Sequence, residues 1–177
     1  MKIAIGVTGA SGVILAQKLL ENLKDHETHL IISQNAEKII NYELKSAKKI
    51  KTLAKFLYKA EALDSKISSS SFLLDAMVIV PCSMKTLAAI AHGFSDNLIT
   101  RCAENILRFN KKLILVPRET PLSLAAIKNM KEAKIMGAII LPPNIAYYPK
   151  PNSLEEVTNF FVGKILDCLG LDHNLYN

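Results

Sequence analysis

The sequence predicts an α/β fold: one domain over residues 1–177, with a parallel sheet covered by helices on both faces. Three observations predict it. Short aliphatic runs alternate along the chain with longer amphipathic stretches, the mark of strand–helix–strand units. The short runs are continuously apolar, as strands buried on both faces are. Half of the 177 residues are hydrophobic, 21% are charged, 6% are aromatic and none is Trp. That composition suits an aliphatic globular core and not a disordered or fibrous chain.

The elements follow in order. Residues 2–8 read as a buried strand that ends at a glycine turn, residues 9–12. Residues 13–23 read as a helix with Leu15, Leu19, Leu20 and Leu23 on its inner face. A second strand is expected at 28–33 and a helix at 35–44. Residues 51–59 are expected to be helical as well. Four serines at 68–71 mark a loop suited to a mobile or ligand-ordered segment. A third strand, 76–80, stops at Pro81. Helices at 83–92 and 96–109 precede a fourth strand, 113–116, which stops at Pro117. A helix at 122–134 and a fifth strand at 138–141 lead to Pro142 and Pro143. A long amphipathic helix, 154–169, comes last.

Open parallel sheets bind ligands beyond the carboxyl ends of their strands. Five segments follow strands and therefore belong to one edge: 9–12, 33–35, 81–85, 117–121 and 142–148.

The bulk composition narrows the function. The formal charge is +6, from 22 basic and 16 acidic residues. Such a balance fits nucleic acid, an anionic membrane or a small anionic ligand. The basic residues are scattered, and Lys45, Lys48, Lys49 and Lys51 form the one dense run. That run reads as a solvated helix face, so no nucleic-acid module is expected. Cys82, Cys102 and Cys168 are odd in number and far apart. Neither a disulfide nor a zinc site is expected, and a reducing compartment fits best. The apolar start is too short for a signal peptide, and no run approaches the ~20 residues of a membrane span. A cytoplasmic protein is expected.

Four segments carry candidate chemistry. Gly6-Val7-Thr8-Gly9-Ala10-Ser11-Gly12 joins a strand to a helix through a glycine turn. Free N–H groups and the positive end of the helix dipole make such a junction an anion site. A plain tight turn with Ser11 as helix cap is the alternative. The spacing is not that of a dinucleotide fingerprint, and no acidic residue ends the second strand, which favours a mononucleotide. Pro81-Cys82-Ser83-Met84-Lys85-Thr86 repeats the device, with Ser83 and Thr86 as cap and first-turn hydroxyls. Pro117-Arg118-Glu119-Thr120-Pro121 offers a planar cation for phosphate or carboxylate beside a candidate acid/base. Tyr147 and Tyr148 stand in a stiff loop flanked by Pro142, Pro143, Pro149 and Pro151. Lys164, among Phe160, Phe161 and Ile165, reads by itself as a snorkelling surface lysine. Glu43, at the end of an apolar helical stretch, reads by itself as a solvated charge. No Ser/His/Asp grouping and no metal-ligand spacing emerges.

Taken together, Val7-Thr8-Gly9-Ala10-Ser11-Gly12, Pro81-Cys82-Ser83, Asn97-Leu98-Ile99 and Leu115-Val116-Pro117-Arg118-Glu119-Thr120-Pro121 resemble the flavin prenyltransferases of the UbiX type. Asn129-Met130 and Gly137-Ala138-Ile139-Ile140-Leu141-Pro142 resemble them in the same order. The likeness runs from residue 3 to about 171 and is weakest over 47–71. It implies a flavodoxin-like fold and a homo-oligomer, a dodecamer in the family. It implies metal-independent transfer of a dimethylallyl group from dimethylallyl monophosphate to N5 and C6 of reduced flavin mononucleotide (FMN). The product would serve a UbiD-type partner decarboxylase. By the same likeness, Gly9, Ala10, Ser11, Ser33, Ser83, Met84, Lys85, Thr86 and Arg118 would contact the flavin. Arg108, Arg118, Tyr148 and Lys164 would hold the prenyl phosphate, with Arg108 standing where a lysine is expected. Ser11, Glu43 and Glu119 would handle protons near the reacting ring.

Two other readings remain open. The related flavin-dependent cysteine decarboxylases share fold and flavin use, but they carry a histidine after the second strand, where this chain has Ser33-Gln34-Asn35-Ala36. A non-catalytic flavin carrier would not need paired acids and phosphate-binding cations.

Overall fold

The computed structural model describes residues 1–44 and 46–176. Lys45, one of the dense basic run, lies outside them. The order is β1 (Lys2–Val7), α1 (Val13–Glu21), β2 (Glu27–Ile32), α2 (Gln34–Glu43), α3 (Ala47–Leu53), β3 (Phe56–Lys59), β4 (Ala76–Cys82), α4 (Met84–Ala91), α5 (Leu98–Arg108), β5 (Lys112–Pro117), α6 (Leu124–Ile135), β6 (Ile139–Ile140) and α7 (Leu154–Leu169). The strands pair in parallel throughout, in the order β3-β2-β1-β4-β5-β6.

Both sheet faces are covered. Ile3, Ile5 and Val7 of β1 point to one face, with Leu30, Ile32, Val78, Val80, Ile114 and Val116. There they meet Leu15, Leu19, Leu20 and Leu23 near α1, and Phe161, Val162, Ile165 and Leu166 of α7. The intervening residues Ala4, Ile31, Met77, Ile79, Leu113 and Leu115 face Leu87 and Ile90 of α4 and Ile99, Cys102 and Ile106 of α5. The alternation of side chains along each strand divides these two cores. Each fully buried Leu or Ile contributes roughly 1.5–3 kcal/mol of transfer free energy.

Three expectations are corrected. Residues 51–59 are not one helix: α3 ends at Leu53, and Phe56–Lys59 is a sixth strand beside β2. Phe56 and Tyr58 alternate with exposed residues and stack against His29 of β2, with ring centroids 4.8 and 5.9 Å apart. The third strand does not stop at Pro81; it runs to Cys82, with a register irregularity against β5 after Ile79. Pro81 lacks an N–H, and its carbonyl is taken by Thr8 instead. The serine segment is tied down: the carbonyl of Ser68 accepts from Arg101 Nε at 3.1 Å and Asn105 Nδ2 at 3.0 Å on α5.

Candidate active site

The strand order reverses between β1 and β4, which is where open α/β sheets leave a crevice for ligands. Thr8 joins the two strand ends. Its Oγ1 donates to the Pro81 carbonyl at 2.8 Å and accepts from the Ser83 N–H at 2.7 Å. Ser33 N–H donates to the Val7 carbonyl at 3.1 Å, and Arg118 N–H to the Cys82 carbonyl at 3.3 Å. Leu141 N–H donates to Leu115 at 2.8 Å. The predicted loops therefore stand in a row along one edge. Thr8 was missed from the sequence; the one signal for it is a polar residue closing an apolar strand.

Three helices begin in this row, two with a serine cap and one without. Ser83 Oγ caps α4, accepting from the Thr86 N–H at 3.3 Å and lying 3.1 Å from Thr86 Oγ1. Ser33 Oγ caps α2 through the Ala36 N–H at 3.2 Å. Ser11 does not cap α1. The cap position is Gly12, at φ 104° in the left-handed region that favours glycine. Its acceptor comes from afar: Glu43, at the end of α2, takes the Gly12 N–H at 2.9 Å and the Val13 N–H at 3.0 Å. The anion at the start of α1 is thus the protein's own carboxylate, favoured there by the helix dipole. Ser11 is left exposed beside it.

The start of α4 differs: its cap is the Ser83 hydroxyl, and no acidic residue stands in its first turn. Lys85 turns its ammonium outward to Asp96 at 3.3 Å, so its main chain faces the row and its charge does not. Met84 packs against the core under α4. Burial pushes the Cys82 thiol up to about 12, so this cysteine stays protonated and is no nucleophile. Gly9 lies against α2: a β-carbon there would sit 2.8 Å from that of Asn35. This close approach keeps bare backbone at the mouth. A cavity of about 730 Å³ opens beside Ser11, Gly12 and Glu43, walled by Ile14, Leu44 and Leu154. Arg118 and Glu119 are exposed at the end of β5, and Glu119 Oε1 accepts from the Thr120 N–H at 3.1 Å.

Three residues lie elsewhere. Tyr148 meets Phe160 edge-on at 6.0 Å, and Lys164 Nζ lies 5.6 Å from the centre of the same ring. Those two form a second cluster on α7. Leu154 of α7 reaches the cavity at Ser11, and Lys164 is ten residues further on, roughly 15 Å along the axis. Hydrogen bonds to Tyr176 and Asp167 hold the Lys164 ammonium above its ordinary pKa. Arg108 stands apart from both groups. It ends α5, paired with Glu104, just before β5 begins, whereas Arg118 follows the far end of that strand. Roughly 20 Å of extended chain separates the two.

The family model described as Flavoprotein matches residues 1–166. The chain is 48% identical over 178 residues to flavin prenyltransferase UbiX of Methanocaldococcus jannaschii, covering 99% of this chain and 97% of that protein. Two solved structures superpose closely. One is AnUbiX (PadA1) in complex with FMN and dimethylallyl pyrophosphate, at TM-score 0.96 and 42% identity, over 99% of this chain and 95% of that one. The other is a dodecameric FMN-dependent UbiX-like decarboxylase from Escherichia coli O157:H7, at TM-score 0.96 and 39% identity, over 100% and 98%. The strand-end row, with its glycine turn, its two serine caps and its Arg118-Glu119 pair, thus sits in a fold and a sequence shared throughout, and the chain belongs to the flavoprotein family and, within it, to the flavin prenyltransferases of the UbiX type.

Proposed function

We propose that this chain transfers a dimethylallyl group from dimethylallyl phosphate to reduced FMN. The observation that carries the reading is the row of strand ends at the β1/β4 crevice, where Ser11 and Glu43 border a cavity of about 730 Å³ and Arg118 and Glu119 stand exposed further along the row. The residues fit FMN. The α4 turn offers Ser83, Thr86 and uncharged main chain for a phosphate, with Gly9, Ala10 and Ser33 beside it. The start of α1 is unsuited to that phosphate, because Glu43 already fills it. Met84, Lys85 through its main chain, and Arg118 complete the flavin contacts.

Reduced FMN supplies the nucleophilic N5 and C6 positions. The chain's part is to hold, orient and move protons. Glu43 and Ser11 border the cavity and exchange a proton at the reacting ring, with Glu119 as a second acid/base. Arg118 neutralises charge on the leaving phosphate, which fixed cations must do where no metal does it. Tyr148, Lys164 and Arg108 hold the same phosphate. Because one chain keeps them in two places, both away from Ser11 and Glu43, they meet that pair through neighbouring copies, in a homo-oligomer of the dodecameric kind seen in the E. coli relative. The product passes to a UbiD-type decarboxylase, and the enzyme works in the cytoplasm.

The test is anaerobic incubation of the protein with reduced FMN and either dimethylallyl monophosphate or the diphosphate, read by mass spectrometry. Prenylated flavin is the expected product. Its absence with both donors would sink the reading, and the faster donor identifies the preferred leaving group. Multiple turnovers would exclude a carrier that only stores flavin.

A further inference from the structure

Residues 171–176 fold back along α7 and close on Lys164. Tyr176 Oη donates to Asp167 Oδ2. His173 Nε2 donates to Asp167 Oδ1 at 3.1 Å while its Nδ1 accepts from the Leu175 N–H at 3.2 Å. Those two bonds together require the tautomer protonated at Nε2. Lys164 Nζ donates to the same Asp167 Oδ2 at 3.3 Å. It lies 4.5 Å from the centre of the Tyr176 ring and 5.6 Å from that of Phe160. The ammonium is therefore held between two aromatic faces and one shared carboxylate.

A second feature shows that the fold accommodates this arrangement. Gly163 sits in the interior of α7, where glycine is disfavoured relative to alanine. A β-carbon at Gly163 would stand 2.6 Å from Tyr176 Cδ1 and 2.8 Å from His173 Cε1. Tyr176 Cε1 lies closer still. The missing side chain is the seat of the Tyr176 ring.

We propose that Tyr176, seated on Gly163, is a positioning residue for Lys164 and so sets the affinity for the phosphate of the prenyl donor. The inference rests on the donor-binding role given to Lys164 above. Lysine is a point charge on a flexible stem, and an unheld ammonium must lose rotamer freedom when it meets an anion. Tyr176 removes that freedom in advance. By donating to Asp167, its hydroxyl also draws on the carboxylate that would otherwise neutralise Lys164. The Lys164 charge is thereby left available to a phosphate.

Three variants test it. Gly163→Ala displaces the ring without touching Lys164 or Asp167. Tyr176→Leu removes ring and hydroxyl, and Tyr176→Phe keeps the ring alone. The first two are expected to raise KM for dimethylallyl phosphate about tenfold, the size of one hydrogen bond to a charged group. FMN affinity and oligomer size should stay as in the parent protein, and Tyr176→Phe should recover part of the loss. A donor KM unchanged in Gly163→Ala and Tyr176→Leu overturns the proposal, and so does a parallel fall in FMN affinity or assembly. A second readout needs no turnover: inorganic phosphate titrated against the nitrogen-15 signal of Lys164. The parent should bind about tenfold more tightly than Gly163→Ala, and equal binding refutes the positioning role. If the parent makes no prenylated flavin, the functional reading fails, while the phosphate titration still decides the role of Tyr176.

Discussion

Glu43 shows how much one side chain can do from an exposed position. Both carboxylate oxygens are engaged at the start of α1, yet the group borders the cavity at Ser11. A charge at a helix start contributes about 0.3–1 kcal/mol. Glu43→Gln keeps an acceptor for the N–H groups and should cost no more than that in urea denaturation. Its turnover should fall on the order of 10²–10⁴-fold, the range for a lost acid/base, with FMN affinity unchanged. Normal turnover would make Glu43 a helix cap and nothing more. The contact joins residues 31 apart in the chain, so local pattern reads Glu43 as a solvated charge, and only the family likeness places it at the site. Ser83 with Thr86 is the opposite case. That cap is made within three residues, and the sequence shows it directly.

His29 is a second residue whose environment makes a measurable claim. It is wholly buried on β2, with Glu27 at Nε2 and Tyr58 at Nδ1. Burial pushes its pKa below the ordinary value, only partly opposed by Glu27, with Lys66 and Lys2 adding to the depression. Below a pH of about 6.5 the unfolded chain therefore binds a proton that the folded chain refuses. Stability should fall as pH drops from 7 toward 5.5. His29→Phe keeps the stack on Phe56, and it should flatten the slope in thermal melts across that window. An unchanged slope would assign the effect to another group.

At the scale of elements, five of the six strands and most helices follow from aliphatic runs and their stops. The sixth, β3, was lost because Phe56-Leu57-Tyr58-Lys59 follows a lysine-rich helical stretch, and its partner faces on β2 lie 27 residues away. Its pairing is set by tertiary contact with His29, which local propensity does not contain. Without β3 the remaining strands have the five-stranded order of a flavodoxin-like sheet, and β3 extends that sheet beside β2. The site is unaffected, because it lies at the other side of β2, where β1 meets β4. Thr8 is the link between these two strands. Thr8→Val keeps the shape but strands the Ser83 N–H, while the Pro81 carbonyl keeps the Thr8 backbone N–H at 3.2 Å. A buried group left without a partner costs about 1–3 kcal/mol. Urea unfolding should show that loss, and FMN affinity should fall with it because the α4 turn is no longer held. A stable variant with full flavin affinity would show that Thr8 merely fills space.

The whole molecule carries an apolar surface that one chain does not cover. On α6 only Ala126 and Ala133 are buried, while Leu124 is 67% and Ile135 66% exposed. Phe94, 62% exposed, stands nearby in a groove of about 330 Å³ that also holds Ile90, Leu107, Met136 and Arg108. A contiguous apolar surface of this kind marks an interaction site, and here it includes the one candidate phosphate-binding arginine that faces away from its own strand-end row. Covering the groove with a second copy would bury the apolar residues and present Arg108 to that copy. Phe94→Glu should therefore yield a smaller species in sedimentation, folded by circular dichroism but inactive. A mixing experiment goes further. Arg108→Ala and Glu43→Gln should each be nearly inactive alone. Co-assembled in equal amounts, they should regain activity, because a site that takes Glu43 from one copy and Arg108 from another is intact in about a quarter of chance pairings. If each copy built its whole site alone, every site in the mixture would carry a defect and no activity would return.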